Sequence, residues 1–205
     1  MAALTTPRAL RTRARILDAA LDLFEHQGYD ATTVTQVADA AGVTQMTFFR
    51  HFPTKDAVLV SDPYDPLIAE AVGAQPRGLP PFERVRRGML AALATIGPVE
   101  DATARRRVAL VARLQRDAPA LRGAVVAATG ATEDAIADRL AADGTPPLDA
   151  RVAAAACLGA ATAALLALPD DGRPLADAVT HALRLLGPPD DATTTGTTAA
   201  GRERS

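Results

Sequence analysis

Between positions 33 and 55 the chain gathers the side chains best able to touch another molecule through directed polar contacts. They are Thr33, Thr44, Gln45, Met46, Thr47, Phe49, Arg50, His51 and Lys55. A glutamine amide offers a donor and an acceptor side by side, which matches the major-groove edge of adenine, and a methionine can lie against a thymine methyl. Threonine hydroxyls, histidine and lysine suit phosphate oxygens, which set register rather than sequence choice. No comparable grouping serves covalent or acid–base chemistry. The three histidines stand apart at 26, 51 and 181, Cys157 is the single cysteine, and there is neither a Gly-rich phosphate loop nor a carboxylate pair at a working spacing. An enzyme, such as a small helical one, is therefore the weaker reading, and no metal or cofactor is expected.

The elements that must position these side chains can be read from the residues between them. Thr33 and Gln36 form a capping box, so a helix starts at Val34. Val34, Val37, Ala38 and Ala41 recur at helical spacing, and Gly42 follows where the chain must turn sharply. Thr44 caps a second short helix, in which Phe48 and Phe52 lie four apart and pack back onto Val37, Ala41 and Val43. That burial frees the opposite face, carrying Gln45, Met46, Phe49 and Arg50, with Thr47 and His51 on its flanks. Pro53 stops the helix, and Thr54 caps another with Lys55 in its first turn. The order is that of a helix-turn-helix. Helices this short do not stand alone in water, so a third must roof them. Thr6 and Pro7 start one that runs to about Gln27, with Ile16, Ala20, Leu23 and Phe24 as its apolar stripe, Gly28 as its stop, and Tyr29 closing the core beside Phe24 and Phe52. Docked in the usual way, the second helix aims Gln45 and Met46 at base edges, while Thr33, Thr44, Thr47, His51 and Lys55 hold phosphates at the rim. Arg8, Arg11, Arg13 and Arg15 crowd the first fifteen residues without an acid, making a candidate phosphate-binding arm.

The stretch TTVTQVADAAGVTQMTFFRHFPTKDAVLV resembles the DNA-binding domain of the TetR family of transcriptional regulators at nearly every position over about fifty residues. The position of Phe49 is commonly tyrosine in that family, whose hydroxyl reaches a DNA phosphate; here the contact must be dropped, or replaced by His51 or Arg50. The resemblance implies an all-α protein that binds a double-stranded DNA operator as a homodimer joined through its last two helices. It also implies a small-molecule effector held in a C-terminal helical domain. The FFRHFPTKDAV segment and the all-helical remainder look like TetR members that respond to acyl-CoA or related lipids. A regulator without a ligand is the alternative: a sealed core would favour it, an open apolar cavity would favour the responsive type.

The rest of the chain fits that outline. A length of 205 residues suits one or two domains, divided here into a DNA-binding domain at 1–54, a helical domain at 55–187, and a tail at 188–205 too poor in apolar residues to fold. The net charge of -2 decides nothing about nucleic acid, since only local charge matters. One cysteine cannot make a disulfide framework, and no signal peptide is evident, so a cytoplasmic location is expected. About nine helices are predicted and no strands: after a fourth helix ending near Ser61 and a kinked piece from Pro66 to Val72, helices run over 81–96, 98–116, 119–143, 150–168 and 174–186, with Gly130 and Thr132 a candidate division of the third of these. The run from Val152 to Leu168 is Ala-rich and short for a bilayer, which favours a buried helix over a membrane span. Ala155, Gly159, Ala163 and Leu183 are placed at the two-fold contact. Leu67, Ile68, Met89, Leu93, Val111 and Leu114 are placed around the ligand, with Arg107 or Arg113 available to anchor a carboxylate or phosphate. The scarcity of aromatics there favours a flexible aliphatic ligand over a planar one.

Overall fold

The computed structural model describes residues 6–61, 65–95, 98–115, 118–167 and 174–187; the predicted tail at 188–205 lies outside them. Among the described residues there are ten helices and no strands: α1 (Pro7–Gln27), α2 (Val34–Ala40), α3 (Gln45–His51), α4 (Lys55–Val60), α5 (Asp65–Gly73), α6 (Pro81–Leu93), α7 (Pro98–Leu114), α8 (Pro119–Ala142), α9 (Pro147–Leu166) and α10 (Leu175–Leu185). The expected count of about nine agrees with these ten once α4 and α5 are numbered apart. Gly130 and Thr132 do not divide α8, whose turn at this point is kept by the Thr132 hydroxyl donating to the Ala128 carbonyl at 3.2 Å.

The first four helices all begin on a threonine. Thr6, Thr33, Thr44 and Thr54 each accept from a backbone amide in the first turn, and at Thr33 both halves of the capping box form. The α2–α3 turn is a Schellman motif: the Val43 amide bonds the Ala38 carbonyl at 2.9 Å and the Gly42 amide bonds Asp39 at 3.0 Å. It requires Gly42 at φ 62°, which an L side chain rarely adopts.

Two apolar cores follow. The first gathers Ile16, Leu21 and Phe24 of α1, Val37, Phe48 and Phe52 around α2 and α3, and Val58 and Leu59 of α4; it continues into Leu110 and Val111 of α7 and Leu121 of α8. The second joins Val72, Val85, Met89, Ile136, Leu140 and Leu183 with one side of α9. That side carries Ala150, Ala153, Ala154, Cys157 and Ala161, whose small volumes let α6, α8 and α10 come close. Cys157 is buried, and burial pushes its thiol pKa up to about 12. α9 is long and apolar enough to cross a membrane by length and composition, but this side forms the core of the helical domain.

At the end of α8 the carboxylate of Asp143 is enclosed by arginines from three elements. Arg84 reaches it at 2.6 Å, Arg77 at 2.9 Å and Arg139 at 3.5 Å, and the Arg84 bond is the leading reason its pKa lies below the usual range. Where α5 crosses α6, a Cβ on Gly88 would lie 2.6 Å from the Val72 Cα and backbone nitrogen. Gly88→Ala is therefore expected to lower the unfolding free energy by about 1 to 3 kcal/mol. Gly130→Ala, whose added methyl meets open space inside α8, is expected to raise it by about 0.4 to 1 kcal/mol. Urea midpoints of the two variants moving the same way would contradict this packing.

Candidate nucleic-acid interface

The recognition edge is built by what α3 buries. Phe48 and Phe52 are 0% and 1% exposed, their ring centroids 5.9 Å apart, with the Phe49 ring edge-on to Phe48 at 5.5 Å. With that side sealed, the N-terminal turn of α3 projects into solvent. Met46 is 82% exposed and Phe49 48%, and Gln45 and Arg50 are also exposed. Thr33 and Thr44 lie exposed at the starts of α2 and α3, where backbone amides and the positive helix end favour phosphate. Thr47, half-buried, shares its hydroxyl with Thr44 at 3.0 Å and donates its amide to it at 3.1 Å. Gln45 is held from α2: its Nε2 donates to the Thr35 hydroxyl at 2.7 Å, which leaves the amide oxygen and one N–H for an adenine edge. Thr35 was not singled out in the sequence. The available signal was that the apolar positions 34, 37, 38 and 41 turn residue 35 outward.

Two expected rim contacts are corrected. His51 is buried, 6% exposed, because it lies three residues after Phe48 on the same side of α3; burial first, then the charges of Arg50 and Arg13, lowers its pKa. His51 is thus not presented at the surface beside Phe49, where Arg50 is the exposed cation. Lys55 points inward: its Nζ donates to the Tyr29 carbonyl at 2.8 Å and the Thr32 carbonyl at 3.1 Å, and lies 4.1 Å from the Tyr29 ring centre. The loop after α1 is pinned by this lysine, which keeps one N–H of three for another acceptor. Tyr29, packed 5.0 Å from Phe24, donates its hydroxyl to Asp56; burial, then that bond, raises its pKa.

The arginine arm is likewise split. Arg8 and Arg11 are exposed, whereas Arg13 and Arg15 are used within the fold. Arg15 donates to the Ala41 carbonyl at the α2 C-cap. Arg13 forks between the His51 carbonyl at 2.8 Å and the Ser61 carbonyl at 3.1 Å, and its guanidinium stacks 4.1 Å from the Phe52 ring centre. A cation at the end of α3 meets carbonyls that the helix itself leaves unpaired.

Behind α4 lies an apolar cavity of about 230 Å³ between α4 and α5–α10, with Leu59 and Val60 forming its α4 wall. Ile68, Met89, Leu93 and Val111 line it as expected. Leu67 is 42% exposed and outside it, and Leu114 packs into the first core instead. Arg107 is the one charged group among the described lining residues; Arg113 is exposed on the other side of α7. On α9, Gly159 and Ala163 face outward in line with Leu148, Val152 and Leu166, while Ala155 is half-buried. Leu183, also expected at the two-fold contact, is fully buried within the second core of its own chain.

Comparison with known proteins agrees with this architecture. Residues 16–61 match the family described as bacterial regulatory proteins, tetR family, and residues 79–190 match that described as MftR C-terminal domain, also a TetR-type C-terminal family. The chain is 33% identical over 110 residues to the HTH-type transcriptional regulator TcmR of Streptomyces glaucescens, covering 52% of this chain and 49% of that one. It is 46% identical over 55 residues to the regulator AcrR of Shigella flexneri, covering 27% and 26%. The chain thus spans half or less of the curated relatives it matches. Among solved structures, a TetR-family regulator from Rhodococcus sp. aligns with a TM-score of 0.52 at 20% identity over 85% of this chain and 96% of that one. The SmeT-Triclosan complex aligns with a TM-score of 0.52 at 20% identity over 95% and 100%. These relatives are regulators, not enzymes, and the chain, matched along both its DNA-binding and its C-terminal helices, belongs to the TetR family of bacterial regulatory proteins.

Proposed function

We propose that this protein is a ligand-responsive transcriptional regulator, a repressor that binds a palindromic operator as a homodimer and leaves it when a small apolar or acyl-type molecule fills the cavity. The observation that carries the reading is the α3 edge, where Phe48 and Phe52 are hidden and Gln45, Met46 and Phe49 are presented to solvent. Gln45 and Met46 read base edges. Thr33, Thr44, Thr47, Arg50 and Arg11 hold phosphates, with Lys55 limited to its remaining N–H. One such edge covers too little surface for tight specific binding, so two copies are needed, set about one helical turn of DNA or a multiple apart. The outward stripe of α9 and the exposed Leu185 and Leu186 on and just after α10 provide the surface for that pairing. A cavity behind α4 supports the responsive reading over a constitutive one.

The test is selection of bound duplexes from a random pool by the full chain, which should return a palindrome. Gln45→Ala should then weaken that operator by roughly 1 to 3 kcal/mol while leaving a scrambled duplex nearly unaffected. Equal losses on both duplexes would remove base readout from Gln45, and an unselective pool would remove the proposed function.

A further inference from the structure

One hydrogen-bonded path from the cavity to the recognition helix runs through a backbone oxygen that two arginines share. Arg107, 9% exposed, donates through Nη1 to the carbonyl of Ser61 at 3.1 Å, and Arg13 donates to that same carbonyl through Nη2, also at 3.1 Å. Ser61 is the C-cap of α4. A carbonyl oxygen has two lone pairs, and here both guanidinium groups use them. The other arm of Arg13 holds the carbonyl of His51, the last residue of α3. From the wall of the cavity to the end of the recognition helix the path is therefore Arg107, the Ser61 carbonyl, Arg13 and the His51 carbonyl. The neighbouring Arg106 points outward from α7 and clamps α1, bonding Glu25 at 2.7 and 2.6 Å and Asp22 at 2.5 Å. Adjacent arginines thus fasten α7 to two different helices of the DNA-binding unit.

We propose that the effector is an amphipathic carboxylate and that Arg107 reads its charge. Its apolar tail fills the cavity, and its carboxylate takes the Arg107 guanidinium away from Ser61. The Ser61 carbonyl takes one N–H from Arg107, whereas a carboxylate can accept two parallel N–H bonds from arginine and carries the opposite charge, so the anion is the stronger acceptor for this donor. The end of α4 then loses this hydrogen bond to α7 but stays linked through Arg13 to the end of α3. Any displacement of α4 is passed to the recognition helix, while Arg106 keeps α1 in place. A neutral molecule with the same tail enters the cavity without this effect. The inference rests on the regulator reading above and adds to it the chemical class of the ligand and the group that senses it.

The probes are sodium octanoate and 1-octanol, added to the full chain on its selected operator and followed by fluorescence anisotropy, with occupancy of both measured by calorimetry. Octanoate is expected to weaken operator binding at least tenfold, and octanol at equal occupancy less than twofold. In Arg107→Met the ratio of operator affinities with and without octanoate should fall to about one, whatever the absolute affinity, while Arg113→Gln keeps the full response. Release by octanol as strong as by octanoate, absence of octanoate binding, or an undiminished response in Arg107→Met would each overturn the proposal. Should Arg107→Met not fold, the two probes on the unaltered protein still decide it. A protein that binds no duplex before any probe is added would instead refute the regulator reading, and this inference with it.

Discussion

Phe48→Ala is expected to lower the unfolding free energy by about 3 to 5 kcal/mol and the melting midpoint by about 6 to 20 °C, and to remove operator binding at temperatures where the rest of the chain is still folded. Phe48 is 0% exposed and meets Phe52 and Phe49 ring to ring. α3 has only seven residues, too few to hold a helix without its seat. Removing the ring leaves a hole under the helix that presents Gln45 and Met46, so stability and recognition fail together. Phe49→Ala provides the contrast: its ring is 48% exposed, and the expected loss of stability is below about 1.5 kcal/mol. Calorimetry and anisotropy on both variants check the pair. A Phe48→Ala protein that melts like the parent would mean that α3 is seated by something else.

Ala163→Arg is expected to convert a dimer to monomers in sedimentation and to weaken the palindromic operator by at least about 100-fold, since each subunit must then bind its half-site alone. The argument is geometric. Leu148, Val152, Gly159, Ala163 and Leu166 fall on one side of α9, the side away from the core; Leu148 is 73% exposed and Val152 58%. Leu185 on α10 is also 73% exposed, and contiguous exposed apolar side chains of this kind mark an interaction face. Ala163 has a small side chain in the middle of the exposed stretch, where an arginine would place a charge in a dry contact without disturbing the subunit's own core. A dimer that survives the substitution unchanged would move the interface elsewhere.

Much of the DNA-binding unit was legible because its signals are local. Thr33, Thr44 and Thr54 act within three residues of themselves, Gly42 is required by the turn it occupies, and Phe48 and Phe52 share a side by spacing alone. What was not legible depends on partners far along the chain. Arg13 looked like part of a basic arm until its guanidinium was found on carbonyls 38 and 48 residues away. Arg84 sits in an ordinary amphipathic helix by pattern, yet its partner Asp143 is 59 residues on. Lys55 had the position of a phosphate contact, but the loop carbonyls of Tyr29 and Thr32 claim it first. The cavity shows the same limit: Ile68, Met89, Leu93 and Val111 were nameable as apolar, but only the packing of seven helices decides which apolar side chains border empty space and which, like Leu114, are filled in.

Leu59 belongs at once to the core beneath α3 and to the wall of the cavity. Reshaping the cavity from that side would disturb the reading head, whereas Thr129, Thr132, Leu158 and Thr162, on the α8 and α9 walls, stand apart from the first core. If the cavity holds the effector as proposed, descendants of this chain can drift toward new effectors by changing the far walls while keeping their operator, and diversification of what is sensed can outpace diversification of what is controlled.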